Sequence, residues 1–100
     1  MLKNIMYMVN IVDLGESSLA WFIACFRCSE EYCRYSVEVF STSGGRYVAV
    51  VYRILQEDTI PNYVIILDIS NASREFLVYL IVKTLENYLK CNVDTVFFLL

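Results

Sequence analysis

The sequence predicts one α/β domain spanning 1–100: a mixed five-stranded sheet with two helices, in the order β-α-β-β-β-α-β. Three observations carry that expectation. Tyr63-Val-Ile-Ile-Leu-Asp-Ile69 holds one polar side chain in seven, the pattern of a strand covered on both faces. Two serine-bearing turns, Glu16-Ser17-Ser18 and Ser70-Asn71-Ala72-Ser73, precede long apolar segments and offer the side-chain oxygens that cap helix starts. Between them, Thr42-Ser43-Gly44-Gly45 separates two β-rich segments, as a hairpin turn does.

Residues 3–13, rich in Ile, Met, Val and Tyr, read as the first strand, which Gly15 ends. The first helix is expected over 17–33, with Ser17 or Ser18 as its cap and Glu16 near the positive end of its dipole. Its first half, Leu19-Ala-Trp-Phe-Ile-Ala-Cys-Phe26, is apolar on every side and therefore reads as buried. Its second half offers Arg27–Glu31 and Glu30–Arg34 at the i,i+4 spacing of a solvated helix face. Strands follow over 35–41 and 46–55, the latter with Val48, Val50, Tyr52 and Ile54 on one face. Pro61 marks the end of a polar loop, and the fourth strand follows it. The second helix is expected over 72–90, with Leu77, Ile81, Leu85, Tyr88 and Leu89 as its apolar stripe and Glu86 set to pair with Lys90. The last strand, 92–100, ends on Val96-Phe97-Phe98-Leu99-Leu100. Chain ends are usually polar and frayed, so these five residues are expected in a subunit contact or inside the sheet.

The apolar fraction is 58%, above the roughly 45–50% of an average soluble chain. A hundred-residue domain has too much surface for its volume to hide that excess in one core, so self-association or docking on a protein partner is expected. The longest apolar runs fall far short of the ~20 residues of a spanning helix, and no cleavable leader is evident. The expectation is a cytoplasmic protein with no membrane partner. Net charge is −3 and the basic residues are scattered, which argues against nucleic acid unless Arg46, Arg53 and Arg74 meet in space. The absence of histidine removes the commonest general base and the commonest metal ligand.

The two strand-to-helix entries, Val9-Asn-Ile-Val-Asp13 through Ser18 and Val64-Ile-Ile-Leu-Asp68 through Ser73, resemble each other and allow a duplicated β-α-β unit. Asp13 and Asp68 then stand at the carboxyl ends of parallel strands, where Mg²⁺ would find oxygen ligands. The plainer alternative has each aspartate bonding the amides of its own turn, with no cofactor at all. Cys25 and Cys28 share a face of the expected first helix and read as buried structural residues, since a second pair for zinc is missing. Cys33 and Cys91 end the two expected helices and are expected near one another.

Helix, three-strand meander, helix, strand over residues 17–100 resembles the order of the restriction-endonuclease-like core of Holliday-junction resolvases and tRNA-splicing endonucleases. The resemblance implies a metal-binding acid on the second core strand and Glu-x-Lys on the third. Here the second core strand has no acid and the third carries Asp68-Ile69-Ser70. A ferredoxin-like sheet with one added strand is a comparable fold. Three functions follow: a non-catalytic interaction protein, a nucleic-acid-associated protein of degenerate nuclease-like fold, and a Mg-dependent enzyme using Asp13 and Asp68.

Overall fold

Leu19 to Phe26 forms a strand, not a helix, in the computed structural model, which describes residues 2–5, 14–42, 44–54 and 61–99. The strand β2 (Leu14–Cys28) turns back at Ser29–Glu30 into β3 (Glu31–Thr42), and the two pair antiparallel down to Cys28 opposite Glu31. An apolar run of this length cannot be assigned to helix or strand by periodicity alone. The ladders to both neighbouring strands make it a strand, and Ala20, Phe22, Ala24 and Phe26 at alternate positions all point into the core and are almost wholly buried. Ser29 takes a positive φ of 49°, so the turn has the backbone of a tight hairpin without a glycine.

The expected first helix is therefore absent, and so are the two-helix mixed sheet and the endonuclease-like and ferredoxin-like arrangements built on it. The expected i,i+4 pairs dissolve with it. Arg27 lies opposite Tyr32 across the hairpin, and Glu31 pairs with Arg53 at 3.5 Å. The proposed duplication fails as well, because residues 14–18 lie within β2 while the matching 69–73 form a turn.

The remaining elements are β1 (Leu2–Ile5), β4 (Tyr47–Arg53), β5 (Tyr63–Leu67), the helix α1 (Arg74–Leu89) and β6 (Asn92–Phe98). They complete a six-stranded sheet in the order β1-β5-β4-β3-β2-β6, and every neighbouring pair is antiparallel. β2 to β5 form a meander, and α1 carries the chain back across the sheet so that β6 pairs beside β2. β5 and β6, the two strands that α1 links, thus point the same way, with three strands between them. The β3–β4 turn is as expected: Gly45 has φ +80° and its N–H donates to the Thr42 carbonyl at 3.0 Å.

α1 begins as its sequence dictates. The Ser73 side chain accepts from the Phe76 N–H at 3.1 Å, and Ala72 N–H donates to the Tyr47 hydroxyl at 3.1 Å, which fastens the entry to β4. The helix ends with Lys90 in the left-handed conformation, its N–H returning to the Glu86 carbonyl at 2.9 Å. Glu86 does not pair with Lys90. One of its oxygens meets Lys83 at 3.3 Å and the other accepts the Val93 N–H at 2.7 Å, tying the helix end to β6. Leu77, Val78, Ile81, Val82 and Leu85 are buried against Phe22, Phe26, Val37, Val39, Val51, Ile65 and Leu67. Thr84, the one buried polar residue among those described, donates to the Leu80 carbonyl at 2.8 Å.

Truncating that contact should be costly. Ile81→Ala is expected to lower the unfolding free energy by about 2–5 kcal/mol, and Ser73→Ala by about 1 kcal/mol, both measured by chemical denaturation. A loss below the first range would mean that α1 does not seat on the sheet at Ile81.

Candidate functional site

The helix covers one face of the sheet, and the other face has two regimes. Over β4 and β5, Val48, Val50 and Val64 are buried among Phe40, Tyr52 and Ile66. Toward the Leu19 end of β2 and the Phe97 end of β6, the same face opens: Leu19 is 40% exposed, Trp21 41% and Phe97 54%, whereas Cys25 further along β2 is buried. Ser36 accepts the indole N–H of Trp21 at 2.9 Å, so the ring is held in place and not merely stranded.

β6 is an edge strand, and its last turns of sequence are apolar on both faces. Phe98 reaches toward the helix side, where its ring tilts against Phe22 at 5.9 Å and the Arg74 guanidinium lies 4.4 Å from its centroid, yet it remains 51% exposed. Leu99 is half exposed, and so is Phe76 on the first turn of α1. Edge strands in natural proteins are usually guarded by charge, proline or a bulge. Here the register shift sits at the far end, between Cys25 and Phe26, and Asp94 beside it pairs with Arg27 at 3.4 Å. Past that point Thr95-Val96-Phe97-Phe98 carries no charge and no proline.

At the opposite end of the sheet, four elements meet around the cysteines. Cys28 and Cys91 form a disulfide, with Cα atoms 4.9 Å apart, that staples the end of β2 to the α1–β6 turn. Cys33, expected near Cys91, sits on β3 in the core cluster against which Cys28 and Cys91 pack, whereas Cys25 and Cys28, expected to share a helix face, are three apart on a strand and lie on opposite faces. Cys33 and Cys25 are free and buried. Burial pushes the Cys33 thiol up. Arg53, 3.6 Å from its sulfur, pulls it down, while the charge of Glu31 and its hydrogen bond push it further up. A thiol held protonated in this way is a weak nucleophile. Tyr35 beside it is pushed up to about 12, first by burial and then by Tyr63. Its ring continues a chain of aromatic contacts from Phe26 (5.9 Å) through Tyr63 (6.0 Å) to Tyr88 (Tyr63–Tyr88, 4.9 Å).

The residues singled out in the sequence are scattered. Asp13 and Leu100 lie outside the described residues. Asp68 is held by Arg46 at 2.8 Å, which gives its carboxylate a cation other than a metal. Among the described residues no group of three or more Cys, Asp or Glu is placed to hold a metal ion. Arg46 and Arg53 flank opposite ends of β4, roughly 20 Å apart at ~3.3 Å per residue, and Arg74 opens α1. Val96 to Leu99 do lie together on β6 and its extension. Leu19, Trp21 and Phe76 were missed because a helix expected to be buried hid the first two.

Two outcomes follow for the cysteine end. Alkylation of the denatured, unreduced chain should label Cys25 and Cys33 only, and reduction should add Cys28 and Cys91. Closing a loop of sequence separation 63 makes the bridge worth about 4 kcal/mol by chain entropy, so reduction should lower stability by an amount of that order. For Tyr35, the unfolded phenol ionises near pH 10 and the folded one near 12, so the unfolded state binds fewer protons in that window. Stability is therefore constant below pH 10 from this group and falls between 10 and 12. Absorbance titration should show one tyrosine ionising late, and its loss in Tyr35→Phe checks the assignment.

No protein-family model matches the chain, and comparison with the curated proteins and with the solved structures finds no match.

Proposed function

We propose that the protein is a non-catalytic interaction protein that self-associates through the apolar end of the sheet formed by Leu19, Trp21, Phe97, Phe98 and Leu99, together with the exposed Phe76 on the first turn of α1. The observation that supports this most is the exposure of large side chains on both sides of one edge strand. Together these six residues leave on the order of 500 Å² of apolar surface open, counting about half of each side chain. A standard interface takes about 800 Å² from each partner, so this patch supplies more than half of one.

A chemical argument also favours this end over the alternatives. The carboxylate wanted for Mg²⁺ is paired with Arg46, and of the arginines wanted for nucleic acid Arg46 and Arg53 flank opposite ends of β4. Among the described residues no helix is long and apolar enough to cross a membrane.

Sedimentation velocity over a dilution series tests the proposal. A species that dissociates on dilution is expected, and Trp21→Glu should shift the midpoint to higher concentration by about tenfold or more, since a buried unpaired charge costs more than ~1.4 kcal/mol. A monomer at every concentration would sink it.

A further inference from the structure

Backbone geometry at the open edge narrows the partner further. The Leu99 N–H donates to the Trp21 carbonyl at 2.8 Å, so Leu99 faces its polar backbone groups toward β2. Those groups alternate sides along a strand, and no register shift interrupts β6 between Thr95 and Phe98. Thr95 and Phe97 therefore also face β2. Val96 and Phe98 turn their N–H and C=O outward, where they are the ready donors and acceptors of an added strand.

Resting on the self-association just proposed, we infer that the partner strand is β6 of a second copy, antiparallel and centred on Phe97. A two-fold axis through Phe97 sets Val96 opposite Phe98 of the other copy, as a pair exchanging both backbone hydrogen bonds. Phe97 then meets its own counterpart in the close pair between them, and Thr95 meets Leu99. The two sheets become one continuous antiparallel sheet, with the open face of each copy in register with the other.

The charge pattern suits an identical partner. An isologous contact places each residue near the axis against its own copy, so any charge there would repel itself. From Thr95 to Leu99 there is none. The nearest, Asp94, is already engaged by Arg27 and lies beyond the matched segment. Apolar faces apolar on both sides of the ladder: Val96 against Phe98 on the helix side, Phe97 against Phe97 on the open side. Neighbouring registers centred on Thr95 or Val96 would bring Asp94 opposite Val96 or Phe98 and lose that match.

Two measurements test the register. Val96→Pro removes an outward donor only, at the kind of position where edge strands accept proline. The folded chain should keep its circular dichroism while its dissociation constant rises by at least about tenfold, the effect of one or two lost hydrogen bonds. In a Cys25→Ser background, Phe97→Cys should oxidise to a covalent dimer and Thr95→Cys should not, because only the axial residue meets itself. This second measurement stands if Val96→Pro fails to fold. Association unchanged in Val96→Pro, or crosslinking by Thr95→Cys in place of Phe97→Cys, would overturn the pairing. If association then remains sensitive to Trp21→Glu, the broader self-association survives without this geometry. A wild-type monomer would remove both.

Discussion

The alternate burial along β2 is the constraint on which the rest of the structure depends. Ala20, Phe22, Ala24 and Phe26 point beneath α1, and the two alanines leave room for the two phenylalanines to interdigitate with Leu77, Ile81 and Leu85. β2 also pairs on both sides, with β3 and with β6, so it transmits the position of the hairpin to the returning edge strand. The disulfide from Cys28 to Cys91 and the bond from Glu86 to Val93 fix the near end of β6 at one place. Its far end, from Thr95 onward, is held by the ladder to β2 and by the Phe22 and Arg74 contacts of Phe98.

That asymmetry gives the molecule two ends with different chemistry. The cysteine end is closed: a covalent bridge, a protonated thiol, a buried phenol and an Arg53–Glu31 pair fill it. The opposite end is open, and what it opens is apolar side chain alongside strand backbone that has no partner among the described residues. A second strand satisfies both at once, because main-chain hydrogen bonds and side-chain burial are gained in the same contact. The exposed phenylalanines and leucines on β2, β6 and the first turn of α1 are the surface on which the proposed self-association rests.

The second half of the chain was legible because its punctuation is chemical. Gly45 marks a turn that needs positive φ, Ser73 caps α1, and Leu77, Ile81 and Leu85 recur at helical spacing. Element boundaries there fall within two or three residues of expectation. The first half was not legible for a physical reason. Trp21, Ile23 and Leu19 on the open face are as apolar as Phe22 and Phe26 on the buried one, so the period of two vanished from the hydropathy. The Cys28-Ser29-Glu30-Glu31 turn lacks glycine, proline and asparagine, and its charges sit at helical spacings by coincidence. The same apolar outer face that concealed the strand forms the proposed contact, so the missed element and part of the missed site have one cause. Of the expected site residues, only the cluster from Val96 onward stands together, since terminal apolar residues report on burial directly whereas scattered acids and arginines do not.

The most direct test is amide hydrogen exchange at Val96 and Phe98 as the protein is concentrated. Outward N–H groups that join a second copy must slow their exchange as association proceeds, while those of Thr95 and Phe97, already bonded to β2, stay slow throughout. Protection that rises with concentration at Val96 and Phe98 is the predicted result. Rapid exchange at both, in solutions where the protein is shown to be associated, would contradict it.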